Sequence, residues 1–259
     1  MNIRATGDGT VGKAFRVLDE VAAHGRPVRF GELLQHSPFP KATLYRLVQT
    51  LVSQGMLGYD DDRQTYSLGI RLVGLAHAAW RQSSLAPIAR PFLDAMAAES
   101  GETVHLAQLD SGQVLYIDKR NAAKPIEMFS QAGKVGPAYC TGVGKAMLAF
   151  LEEPALSRAI EKQAFYQYTP ATLTSSAALR RELAEIRQRS VAFDREEHEP
   201  GIICIAAPIL SRKSGPMGAV SITTSTQHKS LSDLEVYRPL LNETAQKIAK
   251  AAEDWQFPA

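Results

Sequence analysis

The stretch Phe39-Pro40-Lys41-Ala42-Thr43-Leu44-Tyr45-Arg46-Leu47-Val48-Gln49-Thr50-Leu51-Val52-Ser53-Gln54-Gly55 decides how this chain is read. Leu44, Leu47, Val48 and Leu51 recur at intervals of three and four, the apolar stripe of a helix buried on one side. Ala42, Tyr45, Arg46 and Gln49 fall on the opposite face. Pro40 suits a first helical turn, where its missing N–H costs nothing, and Gly55 suits the stop. Just upstream, Pro38 and Pro40 force a turn over 36–40, because each removes a backbone donor and disfavours helix before it.

The neighbours on both sides complete a pattern. A helix is predicted over 11–24, with Val11, Ala14, Phe15, Leu18, Val21 and Ala22 as its buried face and Gly25 as its stop. A short helix follows over 29–35, with Phe30, Leu33 and Leu34 apolar. After the quoted helix, 56–59 and 64–68 read as two strands joined by the polar turn Asp60-Asp61-Asp62-Arg63. Three helices and then a hairpin are the layout of a winged helix-turn-helix. In such a unit the second helix of the motif enters the major groove, and its face needs donors, acceptors and cations. Arg46 matches guanine bidentately and Gln49 matches adenine. Lys41, Thr43 and Tyr45 reach phosphates or bases near the helix start, and Arg63 reaches the backbone or minor groove from the wing. Asp60, Asp61 and Asp62 are repelled by phosphates and are expected to point away.

Charge alone would not suggest nucleic acid. The 259 residues carry a net charge of +2, and residues 1–80 hold that excess, with nine Lys/Arg against seven Asp/Glu. The opening residues have no apolar signal segment, and the longest apolar run, 202–210, contains Pro208 and is too short to span a bilayer. A cytoplasmic protein with no membrane association is expected. Cys140 and Cys204 form no Cys-x-x-Cys motif and no disulfide framework.

Residues 70–81 continue as an amphipathic helix, with Ile70, Val73, Gly74, His77 and Trp80 in register, interrupted at Ser83, Ser84 and Pro87. This gives a DNA-binding domain over 7–69, a linker helix over 70–84 and a second domain over 85–259. The second domain is α+β with a mostly antiparallel sheet. Helices are predicted over 88–100, 142–151, 176–189 and 232–255, the last with Ser232 and Glu235 as a capping box. Strands are predicted over 103–109, 113–119, 126–130, 202–210 and 217–224, the last two pairing across the 211–216 loop.

Four motifs, in order, resemble the IclR (isocitrate lyase regulator) family of transcription factors. Pro40-Lys41-Ala42-Thr43-Leu44-Tyr45-Arg46-Leu47 is similar to that family's recognition-helix start, with Ala42 where serine is usual. The run from Tyr59 to Leu72, ending in Tyr66-Ser67-Leu68-Gly69-Ile70-Arg71-Leu72, is similar to its wing and exit, and Cys140-Thr141-Gly142-Val143-Gly144-Lys145-Ala146 to its Gly-Lys-Ala turn. The run from Glu196 to Ile209 is similar to its effector-loop signature. The likeness covers about residues 9–255. It implies a homodimer, often a dimer of dimers, on operator DNA, and a GAF-like or profilin-like domain that senses a small organic acid. Aromatic acids, short keto acids and sugar acids are all implied ligand types, and both repressors and activators are implied roles.

Carried over residue by residue, the resemblance places the effector against Met128, Gly142, Val143, Asp194, Ile202, Cys204, Ser221 and Thr223. The residue chemistry fits in part. Gly142 and Gly144 open a helix whose free N–H groups suit a carboxylate, Ser221 and Thr223 share one strand face, and Met128 and Ile202 supply apolar walls. Each has a plainer reading: the glycines as a tight turn, Cys204 as core, Asp194 as a turn cap, Ser221 and Thr223 as a strand edge, Lys145 as a solvated or structural cation. Asp194, His198 and Cys204, with Cys140 or His105 nearby, fit no standard zinc spacing, so no metal and no cofactor are expected. An enzyme built on Cys140 or Cys204 with His198 and Asp194 is the competing reading, and a protein-interaction module is a third; both rank below a DNA-binding regulator that is not an enzyme.

Overall fold

The structure is a computed structural model that describes residues 9–83, 85–211 and 215–253. The chain divides into two compact units between Gln82 and Ser83. In the first, α1 (Thr10–Ala23), β1 (Val28–Arg29), α2 (Phe30–His36) and α3 (Lys41–Ser53) precede the hairpin β2 (Leu57–Asp60) and β3 (Thr65–Leu68), and α4 (Ile70–Ser83) follows. The three strands form an antiparallel sheet in the order β1-β3-β2. The short β1 was not anticipated; it adds Val28 and Arg29 to the free edge of β3.

The quoted stretch folds as its periodicity requires. Pro40 caps α3, and Leu44, Leu47, Val48 and Leu51 are its buried residues. They pack with Val17, Leu18, Val21, Val28, Leu33, Leu57 and Tyr66 into one small core. Two apolar faces depart from expectation. Val11 and Phe15 stand 70% and 58% exposed, so the buried face of α1 is Val17, Leu18 and Val21. On α4, Ile70 and Val73 are also exposed, at 83% and 62%, and Leu72 is the residue that packs against the core. Periodicity found these faces but not what covers them.

The second unit runs α5 (Ala86–Ser100), β4 (Thr103–Asp110), β5 (Gln113–Arg120), β6 (Val135–Gly136), α6 (Gly142–Leu148), α7 (Ala155–Glu161), α8 (Ser176–Arg189), β7 (Ala192–Arg195), β8 (Ile202–Ser211), β9 (Gly215–Ser225), α9 (Leu231–Glu235) and α10 (Arg238–Glu253). Six strands form one antiparallel sheet, β6-β5-β4-β9-β8-β7. Helices α5 and α10 cover one face and α6, with α8 behind it, covers the other. The unit is therefore α+β, as its pattern suggested.

Three local expectations fail for identifiable reasons. Residues 126–130 are not a strand; they run as irregular chain, with the Phe129 N–H donating to Glu199 in the 196–201 loop and the Ser130 hydroxyl bonded to His105 of the sheet. The last helix breaks at Val236 and Tyr237 because Pro239 cannot donate to the preceding turn, so α10 restarts with Pro239 in its first turn. The capping box is Ser230 with Asp233, two residues earlier than Ser232 with Glu235. Residues 254 and 255 lie outside the described residues. No helix among the described residues is long and apolar enough to cross a membrane.

Candidate nucleic-acid interface and ligand cavity

Helix α3 turns Ala42, Arg46 and Gln49 directly away from its buried stripe, with Lys41 and Tyr45 exposed on one flank and Thr43 half-buried on the other. Tyr45 is held by an edge-on contact with Phe30 at 5.9 Å. The side chain of Gln49 reaches the phenol of Tyr66, whose ring packs 4.7 Å from that of Tyr59. Lys41, Tyr45 and Gln49 thus form one wall of a groove of about 660 Å³, completed by Arg29, Phe30, Val52, Tyr59, Gln64 and Tyr66. Thr50 donates its hydroxyl to the Arg46 carbonyl at 2.9 Å. The wing turn explains one of its three acids. The Asp60 carboxylate accepts from the N–H groups of Asp62 and Arg63, both at 3.0 Å, so it builds the turn, while Arg63 stays exposed at the tip.

In the second unit, a cavity of about 30 Å³ lies between α6 and the sheet. It is lined by Gly142, Val143, Asp194, Ile202, Cys204, Ser221 and Thr223, which is seven of the eight residues expected from the sequence. Met128, the eighth, is buried one position before Phe129, and it is Phe129 and Ser130 that line the space. Ser221 and Thr223 stand two apart on β9, so both hydroxyls point the same way. Their partner strand places His105 opposite Ser221. The imidazole Nδ1 of His105 lies 3.2 Å from the Thr223 hydroxyl and its Nε2 lies 2.9 Å from the Ser130 hydroxyl. Burial, with Lys119 nearby, holds that imidazole at a pKa of about 3, so the ring is neutral.

The glycines of this turn have a packing role. A Cβ on Gly142 would sit 2.4 Å from the Cys204 sulfur, and one on Gly144 would sit 2.4 Å from the Ala138 carbonyl oxygen. Both are glycine because α6 packs directly against its surroundings. Gly144 does not line the cavity. Lys145 is neither solvated nor part of the lining. It is fully buried, donates to a carboxylate oxygen of Glu197, and lies 3.9 Å from Glu182. Glu197 is fixed in turn, its N–H donating to Asp194 at 2.8 Å and its carbonyl accepting from Thr172 at 2.6 Å. Asp194 thus caps a turn and faces the cavity at once. Burial and the neighbouring Glu197 push its carboxyl up to about 7, against the pull of Lys145.

The roof of the cavity is the irregular segment around Phe129 and the loop that carries His198 and Glu199. The Glu199 carboxylate accepts the Phe129 N–H at 2.9 Å, and the His198 ring packs between Phe129 and Tyr168 at 5.0 and 4.7 Å. Sequence reading missed His105, Tyr116, Phe129, Ser130, Thr141, His198 and Glu199 as lining residues. Finding His105 required the β4–β9 register, which joins positions more than a hundred residues apart. A cavity of this size holds about one or two waters, whereas an apolar cavity that takes up benzene measures about 150 Å³. A larger ligand therefore needs more room than the lining leaves here.

The thiols are unsuited to covalent chemistry. Cys140 is fully buried and Cys204 nearly so, and burial with the Asp194 charge raises both, Cys204 to about 12. Among the described residues, no group of three or more His, Cys, Asp or Glu is placed to hold a metal ion.

Comparison with known proteins matches residues 10–61 to the IclR helix-turn-helix domain and residues 77–250 to the bacterial transcriptional regulator IclR C-terminal domain. The HTH-type transcriptional regulator KdgR of Escherichia coli K12 is 30% identical over 246 residues, which span 95% of this chain and 93% of that protein. The crystal structure of Thermotoga maritima IclR matches with a TM-score of 0.79 at 31% identity, over 93% of this chain and 97% of that one. An IclR homologue from Microbacterium hydrocarbonoxydans, crystallised in complex with 4-hydroxybenzoate, has the same fold, with a TM-score of 0.80 at 22% identity over 95% of this chain and all of the other. A winged helix-turn-helix with a polar groove face, joined to an α+β unit with a buried cavity, agrees with both domain matches: the chain belongs to the IclR family of bacterial transcriptional regulators.

Proposed function

We propose that this regulator binds a specific operator through α3 and the wing, and that a small organic acid in the α6–sheet cavity changes its affinity for that operator. Lys41, Thr43, Tyr45, Arg46 and Gln49 contact DNA from the recognition helix, and Arg63 contacts it from the wing. Arg46 is the specificity residue: it stands at the outward pole of α3, exposed to solvent. Gln49 reads bases from the position it shares with Tyr66.

The observation that carries the ligand half is the cavity itself. Gly142, Val143, Asp194, Ile202, Cys204, Ser221 and Thr223 come from three strands and a helix, yet they line one buried space with hydroxyls on one side and apolar atoms on the other. The 4-hydroxybenzoate complex of the Microbacterium homologue supports an organic acid as the ligand class. Met128 contributes from behind Phe129. The protein performs no reaction on the ligand and needs no cofactor. It works as a homodimer, because a two-fold operator needs two recognition helices and because Val11, Phe15, Ile70, Val73 and Leu75 expose apolar surface on α1 and α4. The DNA-binding domain takes in residues 7–69, the linker helix 70–84 and the effector domain 85–259.

A thermal-shift screen of small carboxylic acids identifies the ligand class, because a ligand bound to the folded state raises its melting temperature. In the Ser221→Ala variant, which loses one cavity hydroxyl, calorimetry is expected to show an affinity lowered by roughly fivefold, about 1 kcal/mol for one hydrogen bond. DNA binding without ligand is expected to stay as it was. Unchanged acid affinity in Ser221→Ala and in the cavity-filling Val143→Trp would place the acid elsewhere.

A further inference from the structure

The lining of the α6–sheet cavity holds two carboxyl groups, Asp194 and Glu199, two imidazoles, and neither lysine nor arginine. An anion placed there meets a charge problem. Burying a carboxylate with no compensating charge is costly, and here it would lie beside acids. The nearest cation in the core is already committed, since Lys145 is fully buried and shared between Glu197 and Glu182. Lys119 turns its ammonium to the Ser130 carbonyl at 3.0 Å and Lys134 lies over the Phe129 ring, both outside the lining. His105 is bonded at both nitrogens to the hydroxyls of Ser130 and Thr223.

We infer that the effector acid enters this cavity together with one proton, which lies between the ligand carboxylate and the carboxyl of Asp194. This deepens the proposed function and rests on the cavity being the effector site. One Asp194 oxygen is occupied by the Glu197 N–H, and the side chain is held at the cavity wall by β7. An O–H of one carboxyl donating to a carboxylate oxygen of the other satisfies both groups and removes one of the two negative charges. The proton comes from solvent, and no bond to carbon is made or broken.

The groups facing Asp194 are Glu197 from the loop, Lys145 from α6, His198 from the roof, Cys204 from β8, and Cys140 and Tyr116 nearby. Cys140, Cys204 and Tyr116 are all pushed upward by burial, so they stay neutral. Lys145 and Glu197 neutralise each other. With the Asp194 carboxyl raised to about 7, the free protein carries this proton below that pH and must acquire it above. Acid binding is therefore expected to weaken by about tenfold for each pH unit above about 7, and to be flat below it.

The test is calorimetry on the full chain at about pH 8 and about pH 6, in phosphate and in Tris, whose ionisation heats differ. The probes are 4-hydroxybenzoate, glyoxylate and gluconate, with 4-hydroxybenzamide as an uncharged counterpart. For a carboxylate that binds, the expected result is uptake of nearly one proton at the higher pH and nearly none at the lower. Asp194→Asn is expected to abolish the uptake and the pH dependence, while His198→Gln retains both. Binding without proton uptake at the higher pH overturns the inference, as does uptake lost in His198→Gln but kept in Asp194→Asn. If only the benzamide binds, the proton inference falls and the cavity reading stands. If an acid binds equally well to Val143→Trp, or no probe binds at all, the cavity reading fails and takes the inference with it.

Discussion

Lys145→Ala is expected to destabilise the C-terminal unit by about 3–5 kcal/mol, the usual cost of removing one partner from a buried ion pair. The lysine is fully buried in α6, and its ammonium is what balances Glu197. Without it, Glu197 keeps a second oxygen that already has no hydrogen-bond partner, and Glu182 loses one of its cations. The methylene stem contributes as well, since alanine leaves a hole in the layer beneath α8. In a thermal scan this corresponds to a fall of about 10 °C for a unit of this size. Lys145→Met and Glu197→Leu are each expected to be strongly destabilising alone, and the double variant is expected to recover much of the loss, because the pair then disappears together. A loss below about 1 kcal/mol in Lys145→Ala would mean that the pair is solvated. The N-terminal helix-turn-helix has its own core and is expected to keep its helical signal.

Arg46→Ala is expected to eliminate specific operator binding while leaving the fold intact. Arg46 is exposed and contributes nothing to the core of its unit. A bidentate arginine–guanine pair is worth about 1–3 kcal/mol per recognition helix, and a dimer applies the loss twice. The affinity for operator is then expected to fall by at least about thirtyfold, with little change on unrelated DNA. Lys41→Ala is expected to behave differently: it weakens binding to all sequences and flattens the salt dependence, as a phosphate contact does. Anisotropy titrations at two salt concentrations separate the two behaviours. Wild-type specificity in Arg46→Ala would remove α3 from the groove.

The DNA-binding unit was largely legible because its signals are local. Leu44, Leu47, Val48 and Leu51 set the buried side of α3, and the 36–40 turn set its start, without any knowledge of distant residues. What the same periodicity could not tell was whether an apolar face meets a core or solvent. Val11, Phe15, Ile70 and Val73 have the right spacing and are exposed. The cavity was legible through a different route. Resemblance named seven of its lining residues, but residue chemistry alone left each of them with a plain structural reading. Some of those plain readings also hold: Gly142 packs against Cys204, and Asp194 caps the Glu197 turn.

The residues that escaped depend on long-range pairing or on irregular chain. His105 belongs to the site because β4 lies beside β9. Phe129, Ser130 and Glu199 belong to it because an irregular segment is tied down by the Glu199 carboxylate. Lys145 was expected to be solvated or structural, and its role is set by Glu197, fifty-two positions away, in a loop that no periodic pattern describes. Proline explains the last misreading, since the apolar spacing over 232–255 runs straight through a break that Pro239 imposes.

The central claim, that a ligand in the C-terminal unit controls DNA binding by the N-terminal unit, is tested most directly by one titration. Full-length protein is bound to an operator selected from random duplexes, and the acid that raises its melting temperature is then added. The expected result is an operator affinity that changes by at least about fivefold, the lower end of ordinary allosteric coupling, in wild type and not in Val143→Trp. An operator affinity unmoved at saturating acid, or moved equally in Val143→Trp, would contradict it.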